Sequence, residues 1–152
     1  MTLFWDSKSP LLVDILPDKK TINGEYYANL LVQLRKTIKD KRWGKVSKGV
    51  LLLHNNAPPH KSKVAQAALR QCNFEELAHP PYSSDLAPSD FHVFRKLKLN
   101  LKGKRFLTKD EVITAVWEWL DSMHLSFWYE GITRCKQRWL TCHNRSGDYV
   151  EK

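Results

Sequence analysis

Residues Val50–Phe94 read VLLLHNNAPPHKSKVAQAALRQCNFEELAHPPYSSDLAPSDFHVF. The apolar run Val50–Leu53 ends abruptly in His54, Asn55 and Asn56. Four continuous apolar residues closed by a turn signal predict a buried strand of a mostly parallel sheet. Polar side chains at the end of such a strand stand where α/β sheets place their ligands. A helix is expected over residues 61–71, with Val64, Ala67, Ala68 and Leu69 inward, once Pro58 and Pro59 have delayed its start. A second strand is expected at residues 74–78. The proline-rich loop HPPYSSDLAPSD, residues 79–90, then delivers Asp90 to a helix start, with Pro88 in its first turn. A strand-end polar group and a helix-start carboxylate are thus separated by 34 intervening residues.

Working outward, the chain before this stretch predicts a hairpin. Its strands lie at residues 3–5 and 10–16, around an Asp6-Ser7-Lys8-Ser9 loop. A helix capped by Asn23 follows, with Tyr27, Leu30, Leu31, Leu34 and Ile38 at helical spacing. Beyond it, Phe91, Phe94, Leu97 and Leu101 make the stripe of the helix that reaches residue 99. Thr108 and Glu111 have capping-box spacing and open a helix with Val112, Ile113, Val116, Trp117 and Leu120 inside. A last helix places Trp128, Ile132, Cys135 and Trp139 on one face, and the aromatic residues of both helices are read as core.

The net charge is +9 and the pI near 9.5, which favours a polyanionic partner. Two clusters carry much of it. Arg35, Lys36, Lys39, Lys41, Arg42, Lys45 and Lys48 surround a single acid, Asp40, and end in a Trp43-Gly44 turn. Arg95, Lys96, Lys98, Lys102, Lys104 and Arg105 have no acid between them. Each reads either as a DNA-backbone contact or as a solvated surface. At 152 residues the chain is large enough for one domain with a sizeable core. No apolar run approaches the roughly 20 residues of a membrane span, and no signal-peptide pattern opens the sequence. Cys72, Cys135 and Cys142 form no CxxC pair and read as reduced thiols. His54, His60, Cys72, His79 and His92 lack the paired spacing of a zinc site.

The motifs HNNAPPH (His54–His60) and YSSDLAPSDFH (Tyr82–His92) resemble the catalytic core of mariner-type transposases of the DDE/D superfamily. LKGKRF (Leu101–Phe106), WYEGITRCKQRW (Trp128–Trp139) and GDYVEK (Gly147–Lys152) extend the resemblance over nearly the whole chain. The resemblance implies an α/β, RNase H-like mixed sheet with flanking helices. It implies DNA cleavage and strand transfer with Mg or Mn, DNA as partner, a homodimer, a nuclear location and no membrane association. It places Asp90 at the third catalytic acid, the candidate metal ligand, and Asn55 at the second, where the family has aspartate. The strand bearing the first acid, and the helix-turn-helix region before it, have no counterpart here. Residues 1–152 are therefore expected to be a single truncated catalytic domain. Asp6 reads as a hairpin residue and Asp14 as a strand residue rather than as replacement acids, and Asp85 as a turn residue. The expected function is a transposon-derived, cleavage-inactive remnant with residual non-specific DNA binding. The alternative is an active Mg/Mn-dependent endonuclease or strand transferase using Asp90 and a substitute acid.

Overall fold

The computed structural model describes residues 1–16, 20–54, 57–77 and 86–144, with side chains to residue 141. Strands β1 (Thr2–Trp5) and β2 (Pro10–Asp14) pair with each other. Asp6 builds their turn: its carboxylate accepts from the Lys8 and Ser9 amides at 2.9 and 3.1 Å. β2 stops at Asp14, two residues short of the expected end. Helix α1 (Gly24–Lys41) follows, and the Asn23 side chain accepts from the Tyr26 amide at 2.8 Å, the cap its sequence implies. The four-residue α2 (Lys45–Lys48) leads through Gly49 into β3 (Val50–Leu53). β3 pairs in parallel with β4 (Phe74–Leu77), Leu52 opposite Glu76.

The crossover between β3 and β4 is two helices, not one. Pro58 and Pro59 do not delay helix growth; they occupy the first turn of α3 (Pro58–Lys61), where their missing N–H groups cost nothing. Ser62 breaks the chain and caps α4 (Lys63–Gln71). The buried face of α4 is Ala65, Ala68 and Leu69; Val64 faces out and Ala67 is half-buried. Small residues on that face bring α4 close against α1.

Two compact units arise. The first is Met1–Phe4 with Leu11–Tyr82, and the second is Trp5–Pro10 with Ser83–Lys152. The core of the first gathers Phe4, Tyr27, Leu30, Leu31, Leu34, Ile38, Leu52, Leu69 and Phe74. The α1 stripe thus fills as its spacing implies. In the first unit β1–β2 and β3–β4 are separate two-stranded sheets among the described residues.

The second unit holds a π-helical segment, Ser89–Phe94, running directly into α5 (Arg95–Leu101), then α6 (Lys109–Ser122) and α7 (Leu125–Asn144). The Thr108 hydroxyl accepts from the Glu111 amide at 3.3 Å, while the Glu111 carboxylate reaches back to the Leu107 amide at 2.7 Å. The capping box therefore closes one residue earlier than the standard pattern. Val116, Trp119 and Leu120 are buried on α6; Trp117 is exposed, contrary to its assignment as core. On α7, Trp128 is buried and Ile132 exposed. Gly131 makes the difference: a β-carbon there would stand 2.6 Å from His92 Cδ2 and 2.7 Å from Trp5 Cη2. The inward line runs through the glycine, and Ile132 turns away. Expected residues 78–85, including the end of the second strand and Asp85, lie outside the described residues.

Candidate functional site

Parallel pairing of β3 with β4 aligns their C-terminal ends, and three side chains meet near that end. The Tyr27 hydroxyl lies 2.6 Å from His54 Nδ1, and His54 Nε2 lies 2.8 Å from Glu76 Oε1. An ionised carboxylate only accepts, so Nε2–H donates to Glu76 and Nδ1 accepts from the tyrosine O–H. Burial and the negative charge of Glu76 push the Tyr27 phenol well above its ordinary value, which keeps it a donor. The His60 ring stacks on His54 at 4.8 Å and on Tyr27 at 4.0 Å between centroids. Gln66 donates to Glu76 Oε2 at 3.3 Å and to the His60 carbonyl at 3.1 Å.

Desolvation would raise the Glu76 carboxyl, but hydrogen bonds from His54 and Gln66, with the Lys61 charge nearby, hold it below the usual range. The network ties α1, β3, α3, α4 and β4 at the residue before position 55. Sequence reading marked His54 as a strand-end polar group but missed its partners. Tyr27 belongs to an apolar stripe, and Glu76 sits in a strand whose register is a tertiary fact. Tyr27→Phe should cost about 1–3 kcal/mol, because it leaves the buried His54 Nδ1 without its donor. Chemical denaturation with unchanged m-value checks this; unchanged stability would remove the network from the account.

In the second unit Asp90 is exposed in the first turn of the π-helical segment. Such segments recur at functional sites. Beside it, Ser89 Oγ accepts from Trp5 Nε1 at 2.9 Å. His92 is fully buried, donates Nε2–H to the Phe127 carbonyl at 2.8 Å, and its Nδ1 has no hydrogen-bond partner among the described residues. Burial lowers the His92 pKa first of all; the Phe127 bond and Glu130 oppose this, and Lys96 and Arg134 reinforce it.

Both His92 and Glu76 have folded values below their unfolded ones. The stability they contribute is present above the unfolded values and lost as pH falls through the folded ones. The melting temperature is therefore expected to fall as pH drops below about 7, first from His92 below its unfolded pKa of about 6.5 and then, below about pH 4.5, from Glu76. Melts in a pH series test the sign; a rise toward acid would contradict it.

The acids weighed as replacements are committed elsewhere. Asp6 holds its hairpin turn, and Asp14 Oδ2 accepts from the Tyr26 hydroxyl at 2.6 Å. Asn55 and His79 lie outside the described residues. Among the described residues no three His, Cys, Asp or Glu side chains come together as a metal-holding group. A single exposed carboxylate such as Asp90 does not by itself fit a two-metal centre, which needs acids to hold and bridge both ions.

The basic residues are placed at the surface. Arg35, Lys36, Lys39 and Lys41 are exposed on α1, Arg42 is half-buried, and Lys45 and Lys48 are exposed on α2. Arg95, Lys96, Lys98, Lys102, Lys104 and Arg105 are exposed on α5 and just beyond it. Arg95, Lys98 and Lys102 line an open groove with Leu99 and Leu101. Lys96 Nζ also sits 5.1 Å over the Phe127 ring.

A family model described as Transposase (partial DDE domain) matches residues 1–48. The sequence is 32% identical over 152 residues to histone-lysine N-methyltransferase SETMAR of Homo sapiens, covering 99% of this chain and 22% of that protein. It is 31% identical over 153 residues to the Mariner Mos1 transposase of Drosophila mauritiana, covering 99% of this chain and 44% of that one. The chain thus spans less than half the length of either relative. The Mos1 transposase catalytic domain, solved with raltegravir and Mn, matches with a TM-score of 0.92 and 32% identity, over 98% of this chain and 76% of that chain. The chain belongs to the mariner-type DDE transposases.

The mariner assignment carries the RNase H-like DDE fold with it, and the mixed α/β architecture above agrees. Solved Mos1 structures also include the catalytic domain with raltegravir and Mg and a paired-end complex with the left transposon end, so divalent metal and a transposon end belong to that relative.

Proposed function

We propose that this mariner catalytic domain does not cleave DNA but binds it electrostatically and without sequence preference. The observation that carries the reading is Asn55, an amide where the family motif has an aspartate. In-line phosphodiester cleavage by two metal ions needs a carboxylate bridge between them. A neutral amide oxygen supplies neither the charge nor the bridge. The engagement of Asp6 and Asp14 in local hydrogen bonds supports the same conclusion, because no substitute acid emerges from them.

DNA binding rests on the two exposed basic clusters, residues 35–48 and 95–105, and on a net charge of +9. A homodimer and a nuclear location go with this reading. The test is fluorescence anisotropy of the whole chain with two labelled duplexes of unrelated sequence at low salt. Equal affinities are expected; preference for one duplex, or no binding to either, would overturn the proposal.

A further inference from the structure

Trp43 is 96% exposed, and among the described residues its ring makes neither a hydrogen bond nor a ring contact. It does not sit on a loose tail. The turn that carries it is closed by the Arg42 amide on the Ile38 carbonyl at 2.7 Å and by the Lys45 amide on the Arg42 carbonyl at 3.2 Å. Gly44 takes the left-handed conformation that lets the chain reverse there, with φ of 82°. On the far side Asn73 Nδ2 donates to the Val46 carbonyl at 3.0 Å, which holds α2 in place. A single exposed apolar side chain would mean little. What selects a partner is the charge around this one: Lys39, Lys41, Arg42, Lys45 and Lys48 lie within five residues of it, against one acid, Asp40. A rigidly mounted indole flanked by cations is the combination that grips an unstacked nucleic-acid base while the cations hold the backbone.

We propose that Trp43 is a stacking platform for an unpaired DNA base, so that the α1–α2 turn prefers single-stranded DNA over duplex. This rests on the DNA-binding reading of residues 35–48 and adds to it the structural class of DNA. Every base has a π-face, so no sequence preference comes with it. The duplex offers its bases only at the ends, so there the cations act alone.

The experiment is anisotropy of the whole chain on a labelled mixed-sequence single strand and on its duplex, at low salt. Trp43→Ala, Trp43→Phe and the double variant Lys41→Ala/Lys45→Ala are compared with the parent. Trp43→Ala is expected to weaken single-strand binding roughly 5- to 150-fold, leave duplex binding within about twofold, and leave the salt slope unchanged. Trp43→Phe should keep most of the single-strand affinity, and the lysine double variant should weaken both substrates. An unchanged melting temperature of Trp43→Ala shows that the fold is intact. If Trp43→Ala binds the single strand like the parent, or weakens both substrates equally, stacking is overturned while electrostatic binding stands. If the parent binds neither substrate, the DNA-binding reading and this inference fall together.

Discussion

Replacing Trp128 by alanine is expected to destabilise the protein by about 3–5 kcal/mol. Trp128 is 1% exposed, and its ring meets Trp5 at 5.4 Å and Phe127 edge-on at 5.0 Å between centroids. Phe127 in turn stacks on His92 at 4.3 Å and meets the edge of Trp119 at 5.6 Å. Deleting the indole opens a cavity at the centre of this aromatic group, and close packing on every side limits how far the cavity can collapse. Trp5 is also tied to Ser89, next to Asp90, so the same deletion should loosen the segment that presents the carboxylate. For a chain of this size the melting temperature should drop by roughly 6–20 °C. Trp117→Ala, on the same aromatic-rich pair of helices but exposed, is expected to change stability by less than about 1 kcal/mol. Equal effects of the two substitutions in thermal melts would contradict the core assigned to the second unit.

Raising salt from about 50 to 200 mM is expected to weaken DNA binding by about 10³-fold or more, if six or more phosphates are neutralised. Thirteen cations stand in the two clusters, seven in residues 35–48 and six in 95–105, which is more than enough. All but Arg42 are exposed, so they reach phosphates without a desolvation penalty that would mask the effect. Removing Lys98 and Lys102 together should lower the slope of log affinity against log salt by about two, with similar losses on any duplex. An affinity flat across the salt range would mean that binding, where present, does not depend on these charges.

Much of the first unit could be read from the chain because local chemistry and tertiary packing agree there. Asn23 caps α1, its apolar stripe is the core, and Val50–Leu53 is a strand, though not the buried one expected: only Leu52 is buried and Leu51 faces out. Disagreements occur where size misleads. Val64 looks more inward than Ala65, yet Ser62 sets the start of α4 and small residues let α1 approach. Trp117 is as apolar as Trp119, and only the direction from which the rest of the unit covers α6 decides between them. On α7 the deciding residue is Gly131, whose absent side chain admits Trp5 and His92.

The candidate site was legible as motif and not as network. His54 stood out in the sequence, but its bond to Glu76, 22 positions away, depends on the parallel β3–β4 register, and its bond to Tyr27, 27 positions away, on the packing of α1. The helix start expected at Asp90 is there, but its π-helical geometry left no signal in composition.

The proposed lack of a working metal pair in this mariner domain is open to a plasmid nicking assay. Supercoiled DNA is incubated with the parent chain, Asn55→Asp and Asp90→Ala, in Mg or Mn and in chelator. No metal-dependent nicking above the chelator control is expected from any of the three, Asn55→Asp included, because Asp6 and Asp14 are held in local hydrogen bonds and no metal-holding group of acids is found among the described residues. Nicking by the parent that needs metal and disappears in Asp90→Ala would contradict the account. Recovery of cleavage in Asn55→Asp alone would show that the chain supplies another acid.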